Sequence, residues 1–128
     1  MAERPVIMVV EDDVEMNQLE REMLDVYGLD SVPAYTGNEA LEVFQRRRVD
    51  AVLLDLMLPE LDGFETCRRL RSMDGNVVVI ILSALDSEDS RRRGYECGAN
   101  AYFAKPFDPD EVISTTQSLL RPEGRPPT

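Results

Sequence analysis

The stretch Val49-Asp50-Ala51-Val52-Leu53-Leu54-Asp55 constrains the fold more than any other in the chain. It is apolar at nearly every position, rich in β-branched and leucine side chains, and shows no polar alternation, so it reads as a strand covered on both faces. Such strands belong to parallel sheets with helices on either side. The run stops at a carboxylate, Asp55, and Pro59 and Gly63 then break the regular backbone. The segment after Asp55 is therefore a loop lying over the C-terminal edge of a central strand. In open α/β sheets that edge is where ligands bind.

Other strands repeat the pattern. Val6-Ile7-Met8-Val9-Val10 ends in Glu11-Asp12-Asp13, residues 76–82 end in Ser83, and Ala101-Tyr102-Phe103-Ala104 ends in Lys105-Pro106. A weaker strand over 30–35 contains Pro33, which has no amide hydrogen to donate, and so belongs at a sheet edge. Between the strands the spacing predicts helices. The first, over 14–27, has Val14, Leu19, Met23, Leu24 and Tyr27 available for the core and Gly28 as its stop. The second opens with the capping box Thr36-Gly37-Asn38-Glu39 and runs to Arg47, with Ala40, Leu41, Val43 and Phe44 for burial. The third spans 63–73, with Phe64, Cys67 and Leu70 inward and Arg68, Arg69 and Arg71 solvated. A fourth, over 86–97, carries Arg91-Arg92-Arg93 and few core residues, and is expected to be the most loosely held. The fifth starts at Asp108-Pro109-Asp110-Glu111, an N-cap, a proline at N1 and an acid at N3, and runs to Leu120.

Five strands alternating with five helices define a (βα)5 α/β fold, a doubly wound five-stranded parallel sheet. An edge position for the Pro33 strand and central positions for the most apolar runs suit the order 2-1-3-4-5 known for flavodoxin-like folds, with the switch point between strands 1 and 3. Residues 1–120 form one domain, and 121–128, with Pro122, Pro126 and Pro127, read as a Pro-rich tail or the start of a linker.

A formal net charge of −11 leaves no basic footprint for nucleic acid or an anionic membrane surface. The chain has no histidine, and its two cysteines, Cys67 and Cys97, sit in separate predicted helices without metal-ligand spacing. Zinc sites and Ser/His/Asp catalysis are thereby excluded. No apolar stretch approaches the roughly 18 residues that span a bilayer, so a soluble, reducing, cytoplasmic setting is expected.

If the topology holds, Glu11, Asp12, Asp55, Ser83 and Lys105 converge on one edge of the sheet. Each alone has an ordinary structural role as a cap, a turn residue or a solvated charge. Together they suit phosphoryl chemistry. Carboxylates gathered from strands 1 and 3 repel one another and require a hard cation and a nearby ammonium, which Mg²⁺ (or Mn²⁺) and Lys105 supply.

The segments Val9-Val10-Glu11-Asp12-Asp13, Leu53-Leu54-Asp55-Leu56-Met57-Leu58-Pro59 with Asp62-Gly63, Leu82-Ser83-Ala84 and Gly98-Ala99-Asn100-Ala101-Tyr102 through Lys105-Pro106-Phe107 together resemble the receiver domain of two-component response regulators, over residues 5–120. The resemblance implies that Asp55 accepts a phosphoryl group from a phosphohistidine on a sensor histidine kinase or histidine phosphotransfer protein. It implies that Asp12, Asp55 and the backbone carbonyl of Met57 ligate Mg²⁺, with Glu11 acting mainly through water. Lys105 would hold one phosphoryl oxygen and Ser83 another. Tyr102 would turn inward as Ser83 is drawn to the phosphoryl group, and the face of helix 4, strand 5 and helix 5 would signal to an output domain or effector protein or pair in a phosphorylation-dependent homodimer. Lys105-Pro106 resembles the family's cis peptide.

Two departures bear on lifetime. Members of the family often carry polar residues two positions after the aspartate and two after the Ser/Thr, where this chain has Met57 and Leu85. A poorly oriented attacking water and a long-lived phosphoryl group are expected. Serine at 83 keeps the hydroxyl but loses the threonine methyl that stiffens the rotamer. The rival readings are a pseudo-receiver signalling by constitutive contact and a phosphatase or flavin-binding domain on a similar sheet. Against the latter, Asp55-Leu56-Met57 lacks a second aspartate and no phosphate loop follows strand 1. The reading reached is a phosphoacceptor switch, not a turnover enzyme.

Overall fold

A computed structural model of the chain describes residues 4–121. The elements alternate without exception: β1 (Val6–Val10), α1 (Val14–Val26), β2 (Asp30–Ala34), α2 (Gly37–Arg46), β3 (Ala51–Leu54), α3 (Gly63–Met73), β4 (Val78–Ser83), α4 (Glu88–Glu96), β5 (Ala101–Ala104) and α5 (Pro109–Leu120). The strands form one parallel sheet in the order β2-β1-β3-β4-β5, as the sequence leads one to expect. Residues 122–128, expected to form a tail or linker, and 1–3 lie outside the described residues.

Strand periodicity sorts the core into two layers. Ile7, Val9, Leu53, Ile80 and Leu82 face Leu24 of α1 and Val112 and Ile113 of α5. Met8, Val10, Val52, Leu54 and Val79 face Ala40 of α2 and Cys67 and Leu70 of α3. Every residue of β1, β3 and β4 is buried, which is why their sequences show no alternation. β2 is only half-buried, and its Pro33 sits opposite Val9 on the sheet edge.

All five helices begin with a side-chain cap, Asp13, Thr36, Asp62, Ser87 or Asp108, each accepting from a backbone amide two or three residues on. Such caps contribute about 1 kcal/mol each, and here they also set each helix N-terminus directly beyond a strand end. Positive ends of helix dipoles therefore ring the edge that carries the acids.

The inward face of α1 differs from expectation. Val14, Leu19 and Tyr27 are exposed, and the buried positions are Asn17, Glu20 and Leu24. Asn17 decides the rotation of the helix, because its amide nitrogen donates to the carbonyls of Val9, Glu11 and Ala34 and so fastens α1 beneath the ends of β1 and β2. A buried stripe that runs through polar residues leaves no apolar periodicity to read.

Arg71 is not solvated as expected. Its guanidinium donates to the Gly98 carbonyl (2.7 Å), Asn100 Oδ1 (2.9 Å) and the Gly75 carbonyl (3.0 Å), tying α3 to the turn before β5. α4 buries only Gly94, in keeping with its charged sequence. Arg93 lies over the Phe64 ring at 4.0 Å and Arg91 over Tyr102 at 4.9 Å, so two members of the arginine run cover aromatic rings. Among the described residues no helix is long and apolar enough to cross a membrane.

Candidate functional site

Parallel pairing sets the geometry. Val10 lies opposite Leu54, and the Asp55 amide continues the ladder to the Val10 carbonyl at 3.0 Å, so the acids after β1 and β3 leave the sheet side by side. One carboxylate oxygen each from Glu11, Asp12 and Asp55 falls within 4.8 Å of the others. The loop beyond Asp55 is clamped from below. Asp55 Oδ1 accepts from the Met57 amide (3.1 Å), the Gly63 amide donates to the Leu56 carbonyl (3.0 Å), and a Cβ on Gly63 would come within 2.4 Å of Leu56 Cα and 2.5 Å of the Asp55 carbonyl oxygen. Only glycine lets α3 start so close to the end of β3.

Lys105 enters from the other side of the sheet. Its amide donates to the Ser83 carbonyl at 2.9 Å, the peptide to Pro106 is cis as the resemblance implied, and its ammonium reaches Glu11 Oε1 at 2.6 Å and Asp55 Oδ2 at 3.7 Å. A fourth acid, Glu20 of α1, has Oε2 at 4.0 Å from the same nitrogen. Nothing in the sequence sets Glu20 apart from its neighbours Glu15 and Glu22, and an acid on an amphipathic helix reads as solvated; only the rotation of α1 under Asn17 carries it inside.

The electrostatics follow from one ammonium among four carboxyl groups. Burial works to lower the Lys105 pKa, but its hydrogen bond to Glu11 and the charges of Asp55, Glu11 and Glu20 outweigh that and raise it. Desolvation, with Glu11 adding to it, raises Asp12. Burial pushes Glu20 up to about 7, against the pull of Lys105 and with repulsion from Glu11 and Asp55. Such a cluster favours a hard cation, and three carboxylates offering oxygens within one small radius fit Mg²⁺ or Mn²⁺. The side chain of Asp55 keeps an exposed edge of 12%, so an incoming group has access.

Ser83 is buried at the end of β4, where its hydroxyl accepts from the Leu85 amide at 3.1 Å. Tyr102, expected to turn inward as Ser83 moves, stands inward from the outset. It is 5% exposed, with its hydroxyl donating to the Leu85 carbonyl at 2.5 Å. Gly94 makes room for it, since a Cβ there would lie 2.8 Å from Ile81 Cδ1 and 3.1 Å from the Tyr102 ring. Met57 and Leu85 project from the rim, 57% and 37% exposed. Beside Lys105 the surface hollows into an apolar recess of about 540 Å³ between Met16, Leu19 and Met23 of α1 and Pro106, Phe107 and Pro109. Leu19, expected in the core, lines this recess instead.

The family model of the response regulator receiver domain matches residues 7–117, and the chain belongs to that family. Among curated relatives, the response regulator MprA of Mycobacterium sp. (strain KMS) is 40% identical over 115 residues, 90% of this chain and 50% of that protein. The probable transcriptional regulator ycf27 of Porphyridium aerugineum is 38% identical over 115 residues, 90% of this chain and 48% of its own length. The chain thus spans about half the length of the curated relatives it matches. Among solved structures, the receiver domain of Francisella response regulator 1452 superposes with a TM-score of 0.86 at 35% identity, covering 91% of this chain and 97% of that one. A CheY-like receiver domain from Methanospirillum hungatei JF-1, at 22% identity, gives 0.88 over 92% and 94% and speaks to the fold alone.

Proposed function

We propose that the chain is a phosphoacceptor switch of a two-component phosphorelay, in which Asp55 takes a phosphoryl group from the phosphohistidine of a sensor histidine kinase or histidine phosphotransfer protein. The observation that carries this reading is the meeting of the Glu11, Asp12 and Asp55 carboxylates with the Lys105 ammonium, 3.7 Å from Asp55. In the transfer a carboxylate oxygen of Asp55 bonds to phosphorus as the phosphorus–nitrogen bond to the donor imidazole breaks. Phosphoryl transfer asks for in-line positioning and neutralised oxygen charge more than covalent help, and the Lys105 ammonium 3.7 Å from Asp55 supports the second of these. Asp12 and Asp55, with the Met57 carbonyl and with Glu11 through water, would hold Mg²⁺, which neutralises charge on the phosphoryl oxygens. Lys105 then leaves Glu11 for one phosphoryl oxygen, and the Ser83 hydroxyl, turning from the Leu85 amide, donates to another. The apolar recess borders Lys105, whose ammonium lies 3.7 Å from Asp55, which suits it to the donor's docking.

Ser83 and Tyr102 share Leu85, one through its amide and one through its carbonyl. Moving the serine hydroxyl therefore disturbs the residue that holds the tyrosine, and the change emerges on the face of α4, β5 and α5. Output is read there by a linked domain or effector protein, or by phosphorylation-dependent pairing of two copies. A DNA-directed output, as the name of the ycf27 relative suggests for that protein, would lie outside these acidic residues. The setting is cytoplasmic, where the kinase's phosphohistidine is presented.

Incubation with a small phosphodonor and Mg²⁺ tests this. Intact mass should show one added phosphoryl group, absent in Asp55→Asn. A wild-type protein that never labels would instead support constitutive signalling by a pseudo-receiver.

A further inference from the structure

The phosphoacceptor chemistry has no use for Glu20, yet the fold pays for its burial. The residue is 4% exposed, and its Oε2 has no hydrogen-bond partner among the described residues. Burying a carboxylate with an orphaned oxygen is costly, and the neighbouring inward position on α1 is an ordinary Leu24. An apolar side chain would serve packing better. The nearest cation is Lys105 Nζ at 4.0 Å, close enough for attraction and too far for a hydrogen bond.

Resting on the receiver reading, we infer that Glu20 is a second station for the Lys105 ammonium, a positioning residue that keeps the lysine beside Asp55 once a divalent cation engages Glu11. Before that, Lys105 has its best partner in Glu11, at 2.6 Å. Glu11 is also one of the three acids clustered for a cation. A dication there draws on the Glu11 carboxylate and repels the ammonium, and between partly buried groups a few ångströms apart that repulsion is only weakly screened. Asp55 belongs to the same cluster and is the group to be phosphorylated. Of the carboxylates within reach of Lys105, Glu20 alone stands outside the cluster. A shift of roughly 1 Å along the flexible lysine stem makes a charge-assisted hydrogen bond to it. Without Glu20 the ammonium's alternative is water, since the lysine is 19% exposed beside the open recess.

Lys105 is the only lysine in the chain, so its placement can be read chemically. Acylation with a water-soluble amine-reactive ester, followed by peptide mass analysis to separate Lys105 from the N-terminal amine, compares wild type with Glu20→Gln and Glu20→Leu. With saturating Mg²⁺, Lys105 should react several-fold faster in both variants than in wild type; without Mg²⁺, where Glu11 holds the ammonium, the three should agree within about twofold. Phosphorylation by a small phosphodonor should slow several-fold in the variants, and Glu20→Leu should cost nothing further in a Lys105→Ala background. Equal protection of Lys105 in Mg²⁺, or a rise that is the same with and without Mg²⁺ as simple loosening would give, overturns the proposal. Failure of the phosphoacceptor reading shows separately, in a wild-type chain that gains no phosphoryl group.

Discussion

Lys105 and Glu11 meet at 2.6 Å across ninety-four residues of sequence and across the sheet itself, for β3 and β4 lie between the strands that carry them. The lysine leans back over the ends of both intervening strands, so its reach depends on how flat and close the loops on that edge lie. The support of those loops is therefore as consequential as the charged groups.

Gly63→Ala removes that support for Asp55. The added methyl would meet backbone, not a flexible side chain, at 2.4 Å and 2.5 Å. α3 must shift away from β3, at a cost of about 2–3 kcal/mol by the range for overpacked sites. Urea denaturation should show the loss, and phosphoryl uptake measured by intact mass should fall more than tenfold. A variant as stable and as readily labelled as wild type would contradict the clamp.

Gly94→Ala sets two effects against each other. Alanine in place of glycine inside a helix gains up to about 1 kcal/mol, whereas crowding a filled site costs about 1–3 kcal/mol. With contacts of 2.8 Å to Ile81 and 3.1 Å to Tyr102, crowding wins. The ring that can yield is Tyr102, which turns toward solvent, and stability falls by about 1–2 kcal/mol. A ring-labelled tyrosine NMR spectrum should show the Tyr102 signal moving to an exposed environment; an unchanged signal argues that Ile81 alone gives way.

The metal-free protein should lose stability as pH rises from about 4.5 to about 7. Unfolded, Glu20 releases its proton near its ordinary value of 4.5; folded, it holds the proton to about 7. Between those values the native state binds the extra proton, so raising the pH favours unfolding, by at most a few kcal/mol. Urea midpoints at pH 5 and pH 7.5 should differ in wild type and converge in Glu20→Gln. Identical pH slopes for the two proteins would remove Glu20 as the cause.

Met57 and Leu85 give the rim two apolar side chains and no group to orient water. The aspartyl phosphate should accordingly persist, and Met57→Asn or Leu85→Gln should shorten its life several-fold, followed as loss of the phosphoryl mass after donor removal. Decay of the wild-type phosphoryl group within seconds in Mg²⁺ would show that water is oriented by something else.

Strand and helix identity were legible because they depend on local patterns: uninterrupted β-branched runs for β1, β3 and β4, the Pro33 signal for the edge strand, and side-chain caps at Thr36 and Asp108. The acids and Lys105 were legible for a related reason, since each ends such a run. Rotation and reach, in contrast, leave no mark on local spacing. Asn17 turns α1 so that Glu20 goes in and Leu19 comes out, Arg71 finds carbonyls in a distant turn, and Gly94 admits Tyr102. Each of those depends on a partner from another element, which a run of neighbouring residues does not encode.

The Arg71 guanidinium, bound to Gly98 and Asn100, holds the C-terminal end of α4 against the body of the domain. The opposite end has a serine cap and exposed ion pairs such as Arg92 with Asp89 and Arg91 with Asp86. α4 is thus pinned at Gly98 through Arg71 and, nearer Ser87, through Arg91 over the Tyr102 ring, so a displacement at Leu85, whose carbonyl Tyr102 also holds, is felt first at the Ser87 end of the helix.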